Sequence, residues 1–241
     1  MNICIITDNE FLYREVKKIV ANYDKKFCFD FYFSQYNGKL NEKYENSKDY
    51  NPILLKNCDN NFWKNYELFI SLHCKQIFPD ELVENYRCIN IHPGLNPYNR
   101  GWYPQAFSIV NKFPVGVTIH EMDTQLDHGP IIIQKSIPIY ESDTSYDVYC
   151  RIQDLELNLL KKHLLQLVLG DYTIENMVND GNINYKEDFE NLCQINLDEK
   201  GTFGHFIDVL RATTFPPYKN AYFYDKNGKR IWVSINLEGE M

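Results

Sequence analysis

Short apolar runs separated by stretches of helical periodicity constrain this chain more than any other feature of its sequence. Residues 3–6, 27–33, Leu68–Leu72, 88–91, Val115–Glu121 and 131–139 each read as a strand of buried character. After the first run, Asp8 or Asn9 can cap a helix that carries Phe11, Leu12, Val16 and Val20. Between Ser145 and Leu169, the residues Val148, Ile152, Leu155, Leu159, Leu160, Leu164 and Leu167 recur at helical spacing. Gly170 supplies the residue that ends that helix.

Apolar strands that alternate with helices need cover on both sides of their sheet. The pattern therefore predicts a Rossmann-like α/β fold, a mostly parallel sheet with helices on both faces. A length of 241 residues suits one such domain with a small appendage. Past Asp171 the composition turns more polar. There 222–224 and 231–233 flank an Asn227-Gly228 pair, a strong signal for a β-hairpin turn. The expected division is a main domain over 1–170 and a C-terminal extension with the hairpin over 171–241. Residues 36–48 read as a polar loop punctuated by aromatics.

Thirty-three acidic against 25 basic residues leave a formal charge of −8, which repels nucleic-acid phosphates and argues against a nucleic-acid partner. A small phosphorylated ligand stays compatible, since a few placed Lys or Arg suffice locally. Seven cysteines form no Cys-x-x-Cys pair, and several lie inside apolar runs as small hydrophobes. No leader precedes the first apolar stretch, and no run reaches the length of a membrane span. No membrane association and a reducing, cytoplasmic location are the expectations.

The chemistry is carried by two strand ends. In Asn90-x-His92-Pro93-Gly94, strand alternation puts Asn90 and His92 on one face, and Pro93-Gly94 stops the strand at its carboxyl edge. Ligands of open α/β sheets bind at that edge. Taken alone, such polar residues can simply finish a strand by bonding loop backbone. The second stretch runs from Val115 into a polar loop holding Asp123 and Asp127, which by itself also suits a solvated turn. Together, the two strand ends can set a carboxylate beside an imidazole, raising its proton affinity and fixing its tautomer.

Read jointly, Asn90-x-His92-Pro93-Gly94, Pro97-x-x-Arg100-Gly101 and Val117-Thr118-Ile119-x-x-Met122-Asp123-x-x-Leu126-Asp127-x-Gly129 resemble the 10-formyltetrahydrofolate-dependent formyltransferases. Residues 96–105 are most similar to the sugar N-formyltransferases that act on dTDP-linked amino-dideoxy sugars. The match covers about 66–137 well and 210–219 fairly well; 34–60 and 171–200 match nothing usable. The resemblance implies a formyltransferase catalytic domain with a triad of Asn90, His92 and Asp127. An amine attacks the formyl carbonyl, Asn90 donates to the developing oxyanion, His92 takes the proton and Asp127 orients His92.

It also implies that folate is held by backbone groups of Gln76, Ile77 and Phe78 and of Asp123, Thr124, Gln125, Leu126 and Asp127, with Trp102 flanking it. The sugar nucleotide is expected at Asn9, Lys75, Arg100, Tyr103, Phe215, Tyr218 and Lys219, with Phe215 and Tyr218 stacking on the base and Lys75, Arg100 and Lys219 neutralising the pyrophosphate. Phe78 and Ile77 equally suit a core, and Phe215 beside two prolines suits loop packing. No metal is expected. A homodimer follows from the family and from a hairpin too long to stand alone.

The 4-amino-4,6-dideoxy sugar is the expected acceptor, its 4-formamido product serving surface polysaccharide, and the 3-amino isomer is the runner-up. A tRNA-directed formyltransferase is disfavoured by the acidic charge. A glycinamide ribonucleotide formyltransferase is disfavoured by the absence of glycine in Thr7–Phe11. From another class, His92, His120, His128 and Asp127 invite a metal-dependent hydrolase, although their spacing matches no metal motif. His120 and His128 read instead as supporting or surface groups.

Overall fold

The computed structural model describes residues 1–239. Its elements, in chain order, begin with β1 (Asn2–Ile6), α1 (Glu10–Val20), β2 (Cys28–Ser34), α2 (Gly38–Tyr44), β3 (Asn51–Ile53) and α3 (Asn60–Trp63). There follow β4 (Leu68–Leu72), α4 (Asp80–Asn85), β5 (Cys88–His92), β6 (Arg100–Gly101), α5 (Pro104–Asn111), β7 (Val115–Glu121) and β8 (Ile131–Ile137). The chain continues through α6 (Ser145–Leu169), β9 (Ile183–Asn184), α7 (Lys186–Cys193), α8 (Phe203–Thr213), β10 (Tyr222–Tyr224) and β11 (Arg230–Trp232). Seven strands form one sheet in the order β3-β2-β1-β4-β5-β7-β8. Pairing is parallel from β3 through β5 and antiparallel between β5 and β7. All five residues of β4 are buried. Since neighbours point to opposite faces, both faces of the sheet are covered there, as the apolar runs require.

The chain runs from β1 outward to β2 and β3, then returns to the other side of β1 as β4. That reversal makes the carboxyl ends of β1 and β4 a topological switch point. Asp8, just beyond β1, ties it together. Its carboxylate accepts from the Ser34 amide at 3.0 Å, the Ser34 hydroxyl at 2.5 Å and the Lys75 amide at 2.8 Å.

Contacts divide the chain into two compact units. The first comprises 1–92, 118–134 and 155–177; the second comprises 93–117, 135–154 and 178 onward. In the first, Cys4, Ile6, Ile53, Leu55, Trp63, Tyr66, Phe69, Phe78, Leu82 and Cys88 pack into one core cluster. The expected loop over 36–48 is instead α2 followed by the approach to β3. Asn37 caps α2 by accepting from the Leu40 amide, and Leu40 is buried. Tyr44 stands edge-on to Tyr13 and Tyr50, so Leu40 and Tyr44 form the apolar side of a helix that looks polar in sequence. Tyr50 is fully buried, stacks on Tyr13 at 3.9 Å and donates to the Thr7 carbonyl at 2.5 Å.

In the second unit β6 pairs with β9 in parallel, an arrangement centred on Asn99. Asn99 sits at φ 50°, and its side-chain oxygen accepts from the amides of Asn111, Asn182 and Asn184 at 3.0, 2.9 and 3.1 Å. Gly181 lies so close to Pro97 that a Cβ would come within 1.9 Å of its carbonyl. The expected hairpin is present: β10 and β11 pair antiparallel through a turn in which Gly228 takes φ +75°. The Arg230 guanidinium lies over Tyr222 at 4.1 Å and Trp232 at 5.1 Å. Among the described residues no helix is long and apolar enough to cross a membrane.

Candidate active site

The site is built where β7 runs beside β5. Their antiparallel register sets Asn90 opposite His120 and His92 opposite Thr118. Residues opposite each other in such a pair share a face, so all four side chains project to one side of the sheet. Beyond β7 the chain loops out and returns. Met122 donates to the Cys88 carbonyl at 2.8 Å and Glu121 to that of Pro130 at 2.9 Å. Gly129 makes the return possible, because a Cβ there would stand 1.9 Å from the Glu121 carbonyl oxygen. This close approach accounts for the glycine of the Leu126-Asp127-x-Gly129 motif.

The loop brings Asp127 back over Asn90 and His92. Asp127 adopts φ 46°, a left-handed backbone that aspartate tolerates better than most side chains. One carboxylate oxygen accepts from Asn90 Nδ2 at 2.8 Å; the other lies 3.4 Å from His92 Nδ1. His92 is 3% exposed, so this carboxylate–imidazole pair acts with little solvent screening. His120, also buried, adds a third nitrogen, with Nε2 3.3 Å from Asn90 Nδ2 and 3.9 Å from the same oxygen of Asp127.

Elsewhere in this unit, Asp123 accepts from the Gln125 amide at 2.9 Å and pairs with His128 Nδ1 at 2.6 Å. His128 thus belongs to the loop's own scaffold. Thr124, Gln125 and Leu126 are exposed. Gln76 accepts from the Leu55 amide and donates to the Ile53 carbonyl, at 2.9 and 3.1 Å, tethering its loop to the end of β3. Ile77 is 85% exposed, whereas the Phe78 ring is buried in the core cluster. Asn9 caps α1 by accepting from Leu12 at 3.1 Å. Lys75 is exposed beside Asp8.

In the second unit, the Arg100 side chain is buried and Trp102 bonds through its amide to Asn184. Tyr103 stacks on Phe189 at 4.0 Å. Phe215 meets Tyr146 and Tyr149 edge-on at 5.3 and 5.2 Å, while Tyr218 and Lys219 are exposed. The structure thus brings Asn90, His92 and Asp127 together with His120, which the sequence left as a supporting or surface group. Strand alternation puts His120 on the face of Thr118, but only the register shows that this is also the face of Asn90.

An amide, an imidazole and a carboxylate at one strand edge, without an activated nucleophile among them, suit proton removal from an attacking group together with stabilisation of charge on an acyl oxygen. That is acyl-transfer chemistry, and the comparisons agree with it. The chain belongs to the formyl transferase family, whose model matches residues 3–164, while 188–239 match an N-formyltransferase dimerization C-terminal domain.

Its relatives narrow the class further. Over 175 residues it is 50% identical to a dTDP-4-amino-4,6-dideoxyglucose formyltransferase of Mycobacterium bovis, spanning 73% of this chain and 75% of that protein. A 4-N formyltransferase of Francisella tularensis superposes with a TM-score of 0.94 at 40% identity, covering 99% of this chain and 98% of that one. A sugar N-formyltransferase of a Shewanella species gives 0.95 at 42% identity, over 100% and 99%. Family membership replaces the metal-dependent hydrolase alternative.

Proposed function

We propose that this enzyme transfers a formyl group from 10-formyltetrahydrofolate to the amine of a dTDP-linked amino-dideoxy sugar. The 4-amino-4,6-dideoxyglucose derivative is its acceptor, and the 3-amino isomer is the second reading. The observation that carries the proposal is the meeting of Asn90, His92 and Asp127 at the end of β5. With Nδ1 turned to Asp127, His92 presents Nε2 as the nitrogen that takes the amine proton. The carboxylate then stabilises the resulting imidazolium, and a 3.4 Å separation of this kind commonly tightens on substrate binding. Asn90 lies where charge builds on the formyl oxygen. Its 3.3 Å contact to His120 is the longer of its two and the one that yields a hydrogen to that oxygen.

The residues present suit the folate donor, which supplies an activated formyl group. The backbone of 76–78 and 123–127 is assigned to the donor's ring, for which the exposed side chains of Ile77 and Leu126 offer apolar cover. Asn9, Lys75, Arg100, Tyr103, Phe215, Tyr218 and Lys219 are assigned to the sugar nucleotide and Trp102 to the folate. We assign 1–170 to the catalytic domain and 171–241 to an extension that pairs two chains, in a reducing cytoplasm.

Mass spectrometry after incubation with 10-formyltetrahydrofolate and a panel of dTDP- and UDP-linked amino sugars tests this. One sugar should gain one formyl group, the dTDP-4-amino compound fastest, and no product from any sugar would refute the assignment. His92→Asn should lower kcat by about 10² to 10⁴ while sugar-nucleotide affinity stays within a few-fold.

A further inference from the structure

His120 stands directly opposite Asn90 in the β5–β7 register and is 1% exposed. Its contacts determine which nitrogen carries the hydrogen. Nδ1 lies 2.7 Å from the Glu121 backbone carbonyl, a group that only accepts, so Nδ1 is the donor. In the neutral ring Nε2 is then an acceptor, and the atom facing it at 3.3 Å is Asn90 Nδ2. The orientation of that amide has independent support, because Nδ2 also lies 2.8 Å from Asp127 Oδ1, and an ionised carboxylate only accepts. One N–H of Asn90 therefore goes to Asp127 and the other to His120. Turning the amide over would set its oxygen against a carboxylate.

We propose that His120 is a positioning residue, holding the second N–H of Asn90 so that the carboxamide is preset before charge develops. This rests on the reading of Asn90 as part of the reacting centre. The terminal torsion of an asparagine is broad and two-fold, so an amide tied at one hydrogen only can swing. Tied at both, its plane is set before the reaction, so that only one N–H has to change partner as charge develops, and such presetting is the condition for effective electrostatic stabilisation. The hydrogen lent to His120 is the one released to the formyl oxygen. Losing His120 therefore costs rate through Asn90, and not substrate affinity.

A double-mutant cycle with the purified full-length chain and the best acceptor of the sugar panel tests this. The variants are His120→Leu, His120→Gln, Asn90→Ala and the Asn90→Ala/His120→Leu pair. His120→Leu should lower kcat by about 10- to 100-fold, the scale of a small misplacement at a reacting centre, with both KM values within about threefold. His120→Gln, whose amide oxygen can accept where Nε2 does, should recover most of that loss. In the Asn90→Ala background, His120→Leu should change kcat by less than about twofold, since coupled residues are non-additive. If His120→Leu does not fold, His120→Met keeps the bulk with only a weak acceptor and replaces it throughout. Unchanged kcat in the Leu variant, equal losses for Leu and Gln, or additive losses in the two backgrounds would overturn the proposal while leaving the triad intact. Full activity of Asn90→Ala would remove the triad reading beneath it as well.

Discussion

Asp127 holds a left-handed backbone, a conformation that costs a non-glycine residue of order 1–3 kcal/mol. It is held there by its two carboxylate oxygens, one accepting from Asn90 Nδ2 and the other facing His92 Nδ1. A carboxylate already held by Asn90 orients an imidazole more sharply than a free one would, and His92 gains from that. The cysteines show the opposite use of burial. Burial pushes the Cys4 thiol well up, and moves those of Cys88 and Cys193 up to about 12. Only the thiolate is nucleophilic, so these three are protected while the protein is folded. Cys28 is exposed. Treatment with an alkylating reagent at pH 8 should modify Cys28 first and spare Cys4, Cys88 and Cys193 until denaturant is added. Peptide mass mapping reads the order, and early labelling of Cys88 would contradict it.

At the level of elements, the loop between β7 and β8 decides whether the three groups proposed for catalysis meet. Its ends are pinned by the Met122–Cys88 and Glu121–Pro130 bonds, and its return passes so near β7 that position 129 admits no side chain. Gly129→Ala must therefore displace either the strand end or the loop. We expect a fall in kcat of about 10² or more, the scale of a 1 Å misplacement at a reacting centre. Melting temperature should fall less than it would for a core cavity, since the strain is confined to the loop. Steady-state kinetics beside thermal unfolding checks this, and wild-type kcat in the variant would show that the loop has slack. The hub at Asn99 plays a similar part in the second unit, gathering three amides on one oxygen to hold the segment that carries Arg100 and Trp102.

For the molecule as a whole, the C-terminal segment matters most. An isolated two-stranded hairpin is marginal in water. Here β10 and β11 leave Tyr224 and Trp232 well exposed, within a stretch matching a dimerization domain. A pair of chains that buries these aromatics is the expected state in solution. Sedimentation equilibrium at micromolar concentration should give the mass of two chains. Trp232→Glu should shift that equilibrium toward the single chain, because it places a charge in an apolar contact. A single-chain mass for the wild type would refute the dimer.

Much of this architecture was legible in the amino-acid order because the physics involved is local. Apolar runs such as Leu68–Leu72 must be buried on both faces, the period of α6 and its Gly170 end are properties of one segment, and Asn227-Gly228 favours its turn without outside help. Asn90, His92 and Asp127 could be named for a similar reason, since their spaced motifs coincide in one family. What sequence alone left open depended on partners far along the chain. The stretch 36–48 reads as a loop because Tyr44 joins Leu40 on an apolar helix side only once Tyr13 and Tyr50 are beside it. The sequence assigns the backbone of Phe78 to the folate and leaves its ring free to suit a core; only the tertiary packing puts that ring in the core cluster. His120 was set aside as a supporting or surface group, although strand alternation gave it a definite face. Which strand lay against that face, and in what register, was decided by the pairing of β5 with β7. A shift of one residue in that pairing would have sent His120 to the other side of the sheet, and no local preference distinguishes the two.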